Sequence, residues 1–304
     1  MAASRTHTLQ VLGAFAVIYI IWGSTFLALK FAVVSIPPLM LMSLRGLVAG
    51  GILLVWAKAQ GQPWPTLRQW SRATIAGALL FLLNHGGLAW ALSRGVPSGV
   101  SSVLVATIPL WIVIIEWLSG RSRRPPPRVV AGIALGFAGT ALLVGPAGWQ
   151  GGQRIDELGS IVLSLCAVSW ASGSLYARHA GLPASVSLAT GMQMFSGGSL
   201  LIIASGLIGE WSRVEPATFT VAAWSGLLYL IFVGSLLGFS AYMWLLHEVP
   251  PARVATYAYV NPVVAMFLGW LFANETVSRG TVVAVALSLV GVFLVVTAPL
   301  RRTR

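Results

Sequence analysis

The stretch Pro97–Val144 reads PSGVSSVLVATIPLWIVIIEWLSGRSRRPPPRVVAGIALGFAGTALLV, and Pro250–Val296 reads PPARVATYAYVNPVVAMFLGWLFANETVSRGTVVAVALSLVGVFLVV. Laid together, Pro97 meets Pro250, Pro109 meets Pro262 and Trp117 meets Trp270. One residue drops out of the connecting loop, and Gly139 then meets Gly291. Each copy is an apolar helix with a proline near its middle, a short polar loop and a second apolar helix. Two hydrophobic runs resemble each other by chance. A proline, a tryptophan and a glycine in one register do so far less often. The chain therefore carries a membrane unit twice.

Composition agrees. Hydrophobic residues make up 57% of the 304 residues and charged residues 9%, where a soluble domain is about a quarter charged. Mean hydropathy is +0.85. Apolar runs long enough to cross about 30 Å of hydrocarbon recur along the whole chain. Hydropathy places ten spans, at 8–29, 39–59, 71–92, 97–119, 127–145, 158–178, 186–208, 220–246, 251–272 and 279–298. Their expected architecture is all-α, because lipid offers backbone groups no partner and a helix satisfies them internally. The first span has full length and no small-residue cleavage site after it, so it reads as a retained span. Cys166 is the single cysteine. That excludes intramolecular disulfides and multi-cysteine metal sites.

The net charge of +12 sits in short loops between spans, which points to membrane orientation and not to nucleic acid. One side holds Arg5, Lys58, Arg68, Arg72, Arg121, Arg123, Arg124, Arg128, Arg178, Arg253, Arg301, Arg302 and Arg304. The other holds Lys30, Arg94, Arg154, Arg213 and Arg279. The excess puts both termini in the cytoplasm. Halves divided as 1–145 and 146–304 have five spans each. Five is odd, so the second half enters the membrane from the opposite face, and the repeats are expected to be inverted. Their opening motifs correspond, Trp22-Gly-Ser-Thr-Phe-Leu in the first span and Trp170-Ala-Ser-Gly-Ser-Leu in the sixth.

These features resemble the EamA family of the drug/metabolite transporter superfamily: ten spans in two halves, a WGSTFLALK first helix, and a fourth and ninth helix with mid-span proline. The ninth-span ending, GWLFANETVSRG, is similar to that family's glycine–glutamate–glycine signature. Within the family, the tryptophan-rich spans resemble bacterial amino acid exporters of the YddG type. The first repeat departs from the pattern. It has Ser122 where the second has Glu275, and carries Glu116 one turn earlier.

Motifs for GxSxG, HExxH, CxxC and GxxxxGK[ST] chemistry are absent, and His247-Glu248 is followed by Val-Pro-Pro, so no catalytic or metal residue is expected. Most tryptophans fall at span ends and read as an interfacial belt. Trp22, Trp111 and Trp170 lie near span centres, where an indole N–H needs a partner. They read either as helix packing or as substrate lining. Polar residues near the midplane are few: Asn84-His85 in the third span, Thr107 and Pro109 in the fourth, Asn261-Pro262 in the ninth. Each proline removes a helical hydrogen bond and leaves an upstream carbonyl, near Val105 or Ala258, without its usual donor. Two readings stand. The asparagines and carbonyls hold a zwitterion, or the prolines kink the helices and the asparagines bridge neighbours. Tyr257 and Tyr259 precede the second kink, and Tyr257 is a candidate for lining. His85 is a structural histidine or a proton or substrate contact. Arg45, whose repeat partner is Gln193, is placed to snorkel outward, although a central charge costs about 2.5–3.5 kcal/mol on insertion scales. Glu116, within a turn of the cytoplasmic end, reads as a boundary salt bridge with Arg121 or as a proton site. Gly46-x-x-x-Gly50, Gly132-x-x-x-Gly136 and Gly234-x-x-x-Gly238 read as close packing.

The resemblance implies a bacterial inner-membrane exporter of amino acids, aromatic or broadly neutral, working by alternating access as a facilitator. It is expected to be a monomer or homodimer in the lipid bilayer, with a small-molecule substrate and no cofactor. Export of another small metabolite or drug-like cation, and a structural or regulatory membrane subunit, are the alternatives. Reporter fusions should place both termini and the loop 120–128 inside, and 146–157 outside. A periplasmic C-terminus would undo the inverted-repeat expectation.

Overall fold

In the computed structural model, residues 2–120, 124–144, 156–249, 254 and 256–297 are described. Arg121, Ser122, Arg123, Trp149, Arg154, Pro250, Arg253 and the C-terminal arginines lie outside them, as do the side chains of Arg5 and His247. The described residues form ten long helices: α1 Ala2–Ala32, α2 Pro38–Ala59, α3 Leu67–Ser93, α4 Ser98–Leu118, α5 Pro127–Val144, α6 Glu157–His179, α7 Val186–Leu207, α8 Val221–Glu248, α9 Tyr257–Ala273 and α10 Arg279–Val296. Nine of these are long and apolar enough to cross a membrane, and α9 is a shorter apolar helix of 17 residues. The expected all-α fold is what forms, with nine helices of spanning length and α9 as a tenth, shorter apolar helix among the described residues. Leu165, Ile203 and Val55 point outward from the helices that carry them. Water would penalise that much exposed apolar surface, and lipid does not.

Three helices are not uniform. α3 widens to a π-helix over Ala78–His85, and α8 does so over Tyr229–Leu237. α4 breaks at Ala106–Thr107 into Ser98–Val105 and Ile108–Leu118. Pro109 stands in the first turn of the second piece, where its missing N–H has no helical partner to lose. The ninth helix, expected from residue 251, is described from Tyr257. Pro262 therefore falls in its second turn, and the helix runs through it.

The chain divides into two compact units. The first contains Met1–Leu27, Val96–Ser160 and Gly238–Arg304; the second contains Ala28–Gly95 and Ile161–Leu237. Each draws helices from both repeats. In the second unit, α2 and α7 meet backbone to backbone. A Cβ on Gly50 would lie 2.6 Å from the Phe195 nitrogen, and one on Gly198 would lie 2.7 Å from the Leu47 nitrogen. In the first unit, α5 and α10 do the same. A Cβ on Gly132 would lie 2.8 Å from the Gly291 carbonyl, and one on Gly139 would lie 2.5 Å from the Ser288 nitrogen. Distances under 3.0 Å leave no room for any side chain, so these glycines set the helix spacing.

Each unit also repeats one device at a helix end. α7 stops at Gly209, with φ 74°, and Glu210 N–H returns to the Ser205 carbonyl at 2.9 Å. α9 stops at Asn274, with φ 50°, and Glu275 N–H returns to the Gly269 carbonyl at 3.1 Å. Glycine and asparagine tolerate this left-handed turn. The turn throws the following glutamate onto the start of another helix. Glu210 accepts from Leu39 N at 3.3 Å, Met40 N at 2.9 Å and Ser205 Oγ at 2.7 Å. Glu275 accepts from Ser98 N at 2.7 Å and Gly99 N at 3.2 Å. Pro37 and Pro97, in the N-cap positions of α2 and α4, have no side-chain oxygen to do this. The carboxylates therefore supply the missing caps and also suit the positive ends of the helix dipoles.

Glu210→Gln turns an amide N–H₂ toward donors that need an acceptor. Thermal unfolding in detergent should show a loss of about 1–3 kcal/mol. An unchanged melting temperature would remove the cap from the account.

Candidate functional site

The sequence-predicted residues fall into two groups, one in each unit. In the second unit the group is built on the π-helix of α3. A π turn carries one more residue than an α turn and displaces its carbonyls from the regular ladder. Side chains of α6 meet them. Ser169 Oγ donates to the Leu79 carbonyl at 2.8 Å, and Cys166 Sγ donates to the Leu83 carbonyl at 3.4 Å. Asn84, buried within this layer, donates in return to the Cys166 carbonyl at 2.8 Å. His85 Nδ1 lies 2.8 Å from the Leu80 carbonyl. A carbonyl only accepts, so Nδ1 carries the hydrogen, and in the neutral ring Nε2 is an acceptor. The imidazole stacks on Phe81 at 5.0 Å and meets Trp170 at 5.4 Å.

The π-helix of α8 repeats the pattern. Ser235 Oγ donates to the Leu230 carbonyl at 2.8 Å, five residues back, as His85 does to Leu80. His85 to Ser235 and Leu80 to Leu230 are the same 150 positions apart. Arg45 of α2 donates from Nε to Ser235 Oγ at 3.0 Å. It is turned onto the middle of α8, and not outward along its own helix as a snorkelling side chain would be.

In the first unit Trp22 of α1 packs against Tyr242 of α8 at 5.1 Å and edge-on against Tyr257 of α9 at 4.8 Å. Gly238 makes room for it: a Cβ there would lie 2.6 Å from Trp22 Nε1. Tyr19 and Thr256 share a hydroxyl hydrogen bond of 2.5 Å. Asn261, in the amide orientation its neighbours require, donates to the Tyr19 carbonyl at 3.3 Å and the Tyr257 carbonyl at 3.2 Å. Both asparagines thus tie two helices together through backbone carbonyls.

α4 carries the remaining candidates. Thr107 Oγ1 donates to the Leu104 carbonyl at 2.6 Å, across the helix break. Trp111 packs edge-on against Phe137 of α5 at 4.9 Å. Its Nε1 is buried without a hydrogen-bond partner among the described residues, and so is the Tyr259 hydroxyl. The Ser98 and Ser101 hydroxyls of α4 are buried in the same state. Arg121, the partner expected for Glu116, lies outside the described residues. No cluster of His, Cys, Asp and Glu among the described residues could hold a metal ion.

Sequence reasoning passed over Phe81, Ser235, Tyr242, Glu210 and the inward use of Arg45. The repeat offset was the available signal for Ser235. The left-handed residue before each glutamate was the signal for Glu210 and Glu275.

Asn84→Ala removes the side-chain hydrogen bond that ties α3 to the Cys166 carbonyl of α6 and should lower thermal stability by about 0.5–1.5 kcal/mol. Trp170→Ala should keep the fold and act on ligands, reducing uptake of tryptophan more than uptake of alanine. Equal losses for both solutes would make Trp170 a packing residue.

The chain matches the family profile described as the EamA-like transporter family over residues 10–145 and 157–297. It is 36% identical over 287 residues to the "Uncharacterized inner membrane transporter YedA" of Escherichia coli (strain K12), covering 94% of this chain and 90% of that protein. It is 28% identical to "Protein PecM" of Dickeya dadantii (strain 3937), covering 87% and 85%. It is 23% identical to the "Uncharacterized transporter YoaV" of Bacillus subtilis (strain 168), covering 90% and 92%. A crystal structure with 22% identity superposes with a TM-score of 0.59 over 94% of this chain and 96% of the other, which shows a shared fold. With both repeats matched and a relative this similar along nearly its whole length, the chain belongs to the EamA-like transporter family.

Proposed function

We propose that the protein exports amino acids, aromatic or broadly neutral, across a bacterial inner membrane by alternating access, as a facilitator. The observation that carries the reading is the chemistry left at the two groups. They offer aromatic faces and hydrogen-bonding groups, with no carboxylate among them. Every acidic residue lies at a span end or in a loop: Glu116, Asp156, Glu157, Glu210, Glu215, Glu248 and Glu275. A cation exporter draws on intramembrane acids, so this arrangement favours a zwitterion with an apolar side chain over a drug-like cation. Two sets of residues are proposed for substrate contact, each within its own unit: Trp22, Thr107, Trp111, Tyr257 and Asn261 in the first, and Asn84, His85 and Trp170 in the second. Pro109 and Pro262 are proposed as the points where α4 and α9 give.

The inner-membrane location takes support from the description of YedA. Cytoplasmic termini and inverted repeats take support from the arginine and lysine asymmetry. Two similar gates facing opposite ways are what alternating access requires. The facilitator reading takes support from the same absence of mid-span acids. His85 is the one histidine placed near a span centre.

Purified protein in liposomes tests this. Labelled phenylalanine or leucine should equilibrate by counterflow without any proton or sodium gradient. An imposed pH gradient should not accumulate it above equilibrium, in wild type or in Glu116→Gln. Uphill accumulation that disappears in His85→Ala would replace the facilitator with a proton-coupled carrier. Counterflow of another solute alone would move the cargo, and no flux with any solute would leave a non-transporting subunit.

A further inference from the structure

Among the described residues, Arg45 is the one lysine or arginine set inside a span away from its ends. A charge there is costly and persists where something offsets it. A carboxylate partner would do so, but among the described residues none pairs with Arg45. The guanidinium has five N–H donors. Nε uses one of them on Ser235 Oγ at 3.0 Å, and among the described residues Ser235 is its one hydrogen-bond partner. Ser235 has its own hydrogen committed to the Leu230 carbonyl at 2.8 Å, so its oxygen is free to accept and the direction of the bond is set. The pair holds the guanidinium plane against α8 while the terminal nitrogens keep their donors.

Those nitrogens form a planar fork, and a carboxylate is the anion that accepts from such a fork in two parallel bonds. A single positive charge matches a monoanion. α2, which carries Arg45, packs against the π segments of both α3 and α8, so Arg45 and His85 belong to one cluster of helices. The His85 ring is flanked by aromatics, with Phe81 stacked at 5.0 Å and Trp170 at 5.4 Å. A cation beside an apolar wall is the recognition pattern for an acid with a hydrophobic side chain.

We propose that Arg45, positioned by Ser235, is the receptor for the carboxylate of the transported substrate, whose apolar side chain lies against Phe81, His85 and Trp170. This rests on the amino-acid reading above and narrows it: the cargo is recognised by its carboxylate. His85 Nε2 is then the acceptor available for the ammonium group. The repeat does not duplicate this receptor, since Gln193 stands at the corresponding place and its amide donates to its own helix, to the Ala189 carbonyl at 3.0 Å.

The test is binding to the full-length protein in lipid nanodiscs with three labelled probes. They are L-phenylalanine, 3-phenylpropionate, which lacks the ammonium, and 2-phenylethylamine, which lacks the carboxylate. Wild type should bind the first two and bind the amine more weakly by about ten- to a hundredfold, the worth of a hydrogen-bonded charge. Arg45→Gln should lose the two acids by a similar factor and leave the amine unchanged. Ser235→Ala should weaken the acids less, and Arg45→Lys should restore part of the loss. Should Arg45→Gln fail to fold, the probe comparison in wild type and Ser235→Ala still decides. Wild type that binds the amine as tightly as phenylalanine overturns the receptor, and so does phenylpropionate binding unchanged in Arg45→Gln. Arg45-dependent binding of phenylpropionate without phenylalanine keeps the receptor and removes the amino-acid reading. Binding of none of the three overturns both.

Discussion

Hydrocarbon offers no partner to a backbone N–H or C=O, so every one must be satisfied inside the protein. A regular helix does this everywhere except at its ends and where its pitch changes. This chain changes pitch in α3 and α8 and breaks α4. At each of these points a side chain completes the bonding. Ser169 and Cys166 meet the carbonyls of the α3 π turn, and Ser235 meets one in α8. Glu210 and Glu275 meet the first N–H groups of α2 and α4. Most polar side chains inside the spans are explained by this need before any ligand is considered.

The same constraint explains the glycines. Lipid tails are as apolar as leucine, so helices gain little by hiding leucine from lipid, and close contact decides which surfaces stay together. α2 with α7 and α5 with α10 approach until a single added Cβ would collide with backbone. Each unit thus has a tightly packed helix pair and a carboxylate clamp from the end of a helix. The helices that change pitch pack beside them. A helix with a π segment has weaker internal bonding there and depends more on its neighbours. On the proposed mechanism, that is where movement is cheapest.

Few polar atoms escape these structural duties. The terminal nitrogens of Arg45, Nε2 of His85, Nε1 of Trp111 and the hydroxyls of Tyr259, Ser98 and Ser101 are among those the described contacts leave over. The family assigns transport to the chain. The proposed cargo follows from what such atoms bind.

The sequence by itself determined the class, the ten helices and most of their ends, because hydrophobic length and the requirement for internal hydrogen bonds are local properties. It also determined the duplication, through Pro97, Trp117, Gly139 and their counterparts. Candidate residues such as Trp22, Asn84 and His85 stood out because polar and indole groups are rare at such depth. Three things were decided only by the tertiary structure. Asn84 and Asn261 were legible as polar, but that each ties two helices depends on which carbonyl lies opposite. Arg45 was legible as a charge in a span. Its direction depends on Ser235, 190 residues away in the chain. The glutamates read as loop acids. Their use as caps depends on a left-handed residue turning them onto a helix far along the sequence. In each case the missing information is a partner brought near by packing, and composition and periodicity do not encode that.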